Sequence, residues 1–185
     1  MSSADKRAED AIIQQAIIEA NKQIFLPKGV QVKLLRECPF AMPALIDWLY
    51  EDWHTYDTTL TKERLAKGLE AQAQAVGVPF TLIALRDQTP IGAISLKSEG
   101  PAELADFKGP WPGSFHVIPE ERIRRIGWHL GKLLLETAKR LGYTEVNFYT
   151  SNPRNVERYK KVFGAQVIDM RPFRGHSVSI LKLDL

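Results

Sequence analysis

The clearest basic cluster in the chain is Arg122, Arg124 and Arg125, inside Val117-Ile118-Pro119-Glu120-Glu121-Arg122-Ile123-Arg124-Arg125-Ile126-Gly127-Trp128, where the residue pattern turns from strand to helix. A helix starts with main-chain amides that lack a partner within it, and its dipole adds about half a positive charge there, so such a corner binds anions. Three arginines beside it suit a diphosphate on one small molecule; a solvated basic helix start is the alternative. A second segment, Asn152-Pro153-Arg154-Asn155-Val156-Glu157-Arg158-Tyr159, opens another helix and ends on a phenol, which can protonate a leaving group. A buried structural tyrosine is the competing reading. Glu51, Asp52, His54, Asp57 and His176 are available to take a proton from an acceptor or to attract a cation, although each taken singly reads first as surface. Trp48, Trp53, Tyr56, Trp111 and Phe173 offer an aromatic wall around such an acceptor, with Trp48 and Trp53 read first as core anchors. Metal ligation is not expected, because His54, His116, His129 and His176 are scattered and Cys38 has no neighbouring cysteine.

The elements that must position these groups follow from apolar spacing. Ala8, Ile12, Ile13, Ala16, Ile17, Ala20 and Ile24 recur at helical intervals from Ser3 to Phe25, and Pro27-Lys28-Gly29 stops that helix. Val30 to Leu34 alternates as a strand, and Leu45, Ile46, Leu49 and Trp53 mark a helix between Pro39 and Tyr56. Thr61 caps a further helix that ends near Gly77. Phe80 to Leu85 and Ile91 to Leu96 form a hairpin, the Gly- and Pro-rich stretch from Glu99 to Gly113 a loop, and Ser114 to Ile118 a fourth strand. Then come a helix of about four turns closed by Gly142, a strand from Thr144 to Thr150, a helix opening on Pro153, and two strands, Ala165 to Arg171 and His176 to Leu183. Hairpins mixed with crossovers predict one mixed sheet with helices on its faces. Alternation along the fourth strand puts Trp111, Gly113, Phe115 and Val117 on one face and His116 on the other, so His116 reads as packed or hydrogen-bonded rather than catalytic.

The bulk properties narrow the class. A chain of 185 residues holds one ordinary core. The net charge of +3 and the compact arginine cluster argue against a nucleic-acid footprint, and no apolar run nears the roughly 20 residues of a membrane helix. The single cysteine fits a reducing compartment and reads as a buried apolar side chain, and the charged N-terminus is unlike a secretion signal, so the cytoplasm is expected.

Together these segments resemble the GNAT superfamily of N-acetyltransferases. The first is similar to its acetyl-CoA signature, V-x-P-x-x-R-x-x-G-x-G/A between the fourth strand and the next helix. Val117, Pro119, Arg122 and Gly127 match it, and Arg125 stands where glycine is usual. The second is similar to the family's N-x-x-A-x-x-L-Y helix, with Asn152 and Tyr159 at matching ends and one residue more than usual between Tyr159 and Gly164. A register slip ahead of Tyr159 would bring Lys160 to its place. The likeness covers most of residues 30–185, including the Pro110-Trp111 entry to the fourth strand and the Arg174-Gly175 link between the last two.

The resemblance implies an α/β fold with a central mixed, mostly antiparallel sheet of about seven strands and helices on both faces, and leaves the helix in residues 1–29 as an extra N-terminal element without a counterpart in the minimal fold. It implies acetyl-CoA, its pantetheine arm lying between splayed fourth and fifth strands on the main chain of Phe115 and Val117. Its diphosphate would lie on Arg122, Ile123, Arg124, Arg125, Ile126, Gly127 and Trp128, with Asn152 and Asn155 nearby. Tyr159 would face the thioester sulfur as general acid. The acceptor side would draw on Glu51, Asp52, His54, Asp57, Trp111 and His176, and no carboxylate occupies the fourth strand, where many relatives carry a glutamate base. The acceptor is expected to be a primary amine on a small molecule, polyamine, aminoglycoside-like molecule or peptide terminus. Only neutral amines attack, and a lysine is less than ~0.1% neutral at neutral pH against roughly 10% to 20% for an α-amine. A catalytically degenerate member that binds acyl-CoA or a protein partner is the alternative, and either a monomer or a homodimer is compatible.

Overall fold

A computed structural model describes residues 2–22 and 26–185. Helix α1 spans Ser3–Lys22; residues 23–25, which the apolar spacing assigns to the same helix, lie outside the described residues. There follow β1 (Val30–Leu34), α2 (Met42–Trp53), α3 (Lys62–Gln74), β2 (Phe80–Arg86), β3 (Thr89–Lys97) and β4 (Trp111–Val117). The one-turn α4 (Pro119–Arg122), α5 (Ile126–Arg140), β5 (Glu145–Thr150), α6 (Pro153–Phe163), β6 (Gln166–Phe173) and β7 (His176–Asp184) complete the chain. Among the described residues no helix is long and apolar enough to cross a membrane.

Strand β2 shows how the layers form. Phe80, Leu82 and Ala84 point into a core built with Ile13 and Ile17 of α1 and Ile126, Leu130 and Leu134 of α5. Ile83 and Leu85 point the other way, against Leu45 and Leu49 of α2 and Leu69 of α3. With both faces covered, the strand reads as a nearly continuous apolar run. Helix α1 also closes the free edge of β1, since the Asn21 amide donates to the Val32 carbonyl and accepts from the Val32 N–H, both at 2.8 Å.

In place of one continuous sheet there are two antiparallel ones, β1-β2-β3-β4 and β5-β7-β6. Strand β4 begins at Trp111, earlier than its prolines suggest. Pro112 is admitted because β4 has a ladder partner on one side only. Its register against β3 slips between Gly113, opposite Ser95, and His116, opposite Ala93. Ser114 and Phe115 therefore form a bulge, with Ser114 at φ +49°. The extra residue reverses the side-chain parity expected from simple alternation. Trp111, Gly113 and His116 share the face that looks to α2, while Phe115 and Val117 look to α5.

Cys38 is fully buried, and its thiol lies 3.2 Å from the Leu34 carbonyl. Burial, with a smaller push from Glu37, raises the thiol to about 11, so almost no thiolate is present near neutrality. A disulfide-exchange reagent is expected to titrate no thiol in the folded protein and one after denaturation. Rapid labelling of the native chain would contradict this packing.

Candidate active site

Strands β4 and β5 meet at one end and part at the other. The Asn147 amide donates to the Pro110 carbonyl at 3.0 Å, and the Asn147 side chain donates to the Lys108 carbonyl. Beyond that point no ladder joins the two sheets among the described residues, and the bulge at Ser114 and Phe115 turns β4 away. The result is a gap edged by the unpaired side of β4.

The basic turn lies at the mouth of this gap. Helix α4 makes one turn, Arg125 adopts a left-handed conformation at φ +61°, and α5 starts at Ile126. Among the described residues, the amides of Ile126, Gly127 and Trp128 have no acceptor; the next, His129, donates to the Arg125 carbonyl at 3.1 Å. Three consecutive donors thus stand without an acceptor at the positive end of the α5 dipole. Gly127 keeps the approach open, since a Cβ there would come 2.9 Å from Cζ of Phe115 on β4. Arg124 and Arg125 are exposed beside it. Arg122 is turned inward at its Nε, which donates to the Val117 carbonyl at 2.9 Å and ties the turn to β4.

Glu121 sets the height of this turn. Its buried carboxylate receives Nε and Nη2 of Arg86 at 2.7 and 2.9 Å, and Nη1 of the same arginine donates to the Lys28 carbonyl. The guanidinium holds Glu121 below the usual carboxylate range. In sequence Glu121 is indistinguishable from its exposed neighbour Glu120, and its partner lies 35 positions away. Glu121→Gln should weaken the two charge-assisted bonds, cost about 3 kcal/mol of stability, and raise the KM for acetyl-CoA more than it lowers kcat. Equal loss in both constants, with an unchanged melting temperature, would contradict a bracing role.

Helix α6 brings up the other wall. Asn152 is its N-cap, with its side-chain oxygen accepting from the Arg154 amide at 3.0 Å. Tyr159 lies edge-on to Phe148 of β5 at 5.0 Å, and burial pushes its phenol above the usual value. Its hydroxyl has no hydrogen-bond partner among the described residues. Lys160 is exposed and pairs with Glu157 at 3.1 Å. The helix runs without interruption through both residues and ends on left-handed Gly164 at φ +75°.

The end of α2 covers the face of β4 opposite the turn. Trp53 lies 6.2 Å from Tyr149 of β5 and Tyr56 lies 4.8 Å from His176, both edge-on, while Phe173 and buried Trp111 back Tyr149. Trp111 therefore supports the aromatic rim from inside rather than presenting its ring at the surface. Arg174 donates to Asp57 at 2.7 Å and to Glu103 at 3.2 Å, beside a cavity of about 340 Å³ lined also by Tyr56, Thr59 and Arg64. Thr59, then the arginines, keep Asp57 ionised below its usual range, which makes it an anchor for Arg174. Asp52 reaches His116 at 2.6 Å. Glu51 is exposed on α2, and His54 folds back on its own helix, 2.8 Å from the Tyr50 carbonyl and stacked on the Tyr50 ring.

The model of the acetyltransferase (GNAT) family matches residues 42–165, more than half of the chain. The chain belongs to the GNAT family. No curated protein matches the GNAT chain described here, but solved structures do. It is similar to a GCN5-related N-acetyltransferase from Kribbella flavida at 19% identity and a TM-score of 0.64, over 86% of this chain and 99% of that one. It is also similar to yncA from Salmonella typhimurium, solved with its cofactor acetyl-CoA, at 14% identity and a TM-score of 0.62, over 85% and 95% of the two chains. An aminoglycoside 6'-N-acetyltransferase complexed with coenzyme A matches at 14% identity and a TM-score of 0.64, over 83% and 96%. At these identities the likeness speaks for the GNAT fold alone. Within that fold, Arg122 to Trp128 form the turn into α5, Gly127 stands next to Phe115 and Val117 of β4, and Asn152 caps α6. Of the acceptor-side set, Asp52, Asp57 and His176 come to the rim beside it.

Proposed function

We propose that the protein transfers an acetyl group from acetyl-CoA to a primary amine while both are bound. The observation that carries this reading is the row of unbonded amides at Ile126, Gly127 and Trp128, placed at the mouth of a gap whose β4 edge is unpaired. A diphosphate suits the first, and an extended amide-bearing arm suits the second. Arg125 already occupies the glycine-type conformation with its side chain in solvent, so the turn keeps the shape an anion requires.

When bound, acetyl-CoA supplies the activated acetyl thioester. The protein's own groups then have separable tasks. The α5 amides and the exposed Arg124 and Arg125 hold the diphosphate, and the main chain of Phe115 and Val117 orients the arm. The Tyr159 phenol, kept protonated by burial, gives its proton to the departing sulfur. The aromatic rim and the carboxylates around it admit an amine from the α2 side. Free thiol is followed with acetyl-CoA and a panel containing a polyamine, an aminoglycoside and a peptide with a free N-terminus. At least one acceptor should raise release well above hydrolysis. Thermal stabilisation by coenzyme A with no acceptor-dependent release would instead identify a binding protein without turnover.

A further inference from the structure

The missing base on the fourth strand has a substitute in the structure. Asp52 extends from α2 to His116 on β4, and the Trp48 ring stacks on the imidazole at 5.0 Å between centroids and 14° between planes. A carboxylate accepts, so Nδ1 is the donor in the 2.6 Å contact, and in the neutral imidazole the lone pair is then on Nε2. Among the described residues Nε2 has no hydrogen-bond partner. The bulge at Ser114 and Phe115 gives His116 the same face as Trp111 and Gly113, the one turned toward α2, where its side chain keeps 9% exposure. Phe115 lies on the opposite face, against Gly127 of the cofactor turn. An amine that reaches the α2 face of β4 thus meets the imidazole on the side of the strand away from the diphosphate turn.

We propose that His116, oriented by Asp52, takes the proton from the attacking amine. The inference rests on the acetyl-transfer reading above. The nitrogen lone pair forms the N–C bond to the thioester carbonyl carbon, the surplus N–H proton passes to Nε2 of His116, and the C–S bond breaks. The sulfur leaves with the bonding pair and takes the Tyr159 proton, and His116 and Tyr159 recover their starting states by exchange with water. Asp52 is the positioning residue of the pair.

The test uses the full chain with an acceptor that the wild type turns over. His116→Asn retains a side-chain N–H in the place of Nδ1, so the Asp52 contact and the fold are kept while the basic nitrogen is lost. Its kcat should fall by about 10²- to 10³-fold with an unchanged KM for acetyl-CoA. His116→Gly should regain turnover on addition of imidazole, beyond the reagent's own reaction with acetyl-CoA, which a merely structural histidine would not allow. Asp52→Asn should lower kcat by more than about tenfold through the wrong tautomer, a change that costs up to about 10⁴-fold where the histidine is fully dependent on its carboxylate. If His116→Asn keeps wild-type kcat, or if His116→Gly folds, binds acetyl-CoA and is not rescued, the dyad is not the base. If the wild type itself shows no amine-dependent thiol release, it is the acetyl-transfer reading that fails.

Discussion

Tyr159→Phe is expected to lower kcat by roughly 10²- to 10⁴-fold, the range over which a positioned proton donor acts, and to leave the KM for acetyl-CoA within about twofold. The ring's contacts with Phe148 and Phe163 survive the change. The hydroxyl has no protein partner to lose among the described residues, so the melting temperature should barely move. What disappears is a proton donor that burial keeps loaded above the usual tyrosine range. For the same reason ionisation of Tyr159 should not limit the rate below about pH 10. Steady-state kinetics of the variant decide the point. A loss of less than about threefold would mean that the sulfur leaves without this phenol, since one unit of log rate is worth about 1.4 kcal/mol.

Gly127→Glu is expected to weaken acetyl-CoA binding by at least about 100-fold, equivalent to about 2.7 kcal/mol. The new side chain begins 2.9 Å from Cζ of Phe115, so the ring must swing across the groove, and a carboxylate then stands among the three free amides. A glutamate in the first turn of a helix stabilises it by about 0.3–1 kcal/mol. The protein should therefore stay folded while losing its ligand. Calorimetric titration with coenzyme A provides the number, and affinity within about threefold of wild type would remove the α5 corner from the account.

How much of this was legible in the chain depends on how local each determinant is. The Val117 to Trp128 turn announces itself because strand, proline, basic cluster and amphipathic helix follow one another within a dozen residues. The Asn152-Pro153 helix start is equally local, and the cap forms as the residue types predict. The division into two sheets was not legible, because it depends on where β4 ceases to follow β5. One extra residue at Ser114 also inverts a parity argument that assumes a regular strand. That inversion changes the face on which His116 stands; it is packed and hydrogen-bonded as its residue type suggests, but its partner Asp52 lies 64 positions away and was not legible. Glu121 was hidden in the same manner, since nothing in Pro119-Glu120-Glu121-Arg122 says which glutamate turns inward to Arg86. Trp111 and Asp57 illustrate the converse. Trp111 is spent on packing, and Asp57 holds Arg174 while it lines the cavity beside Tyr56.

The most direct test is an amide-resolved NMR titration of the full chain with acetyl-CoA. If the α5 corner grips the diphosphate, the Ile126, Gly127 and Trp128 resonances shift together and exchange more slowly with solvent, and Phe115 and Val117 follow along β4. Saturating ligand that leaves those three amides unmoved, while shifting resonances elsewhere, would contradict it.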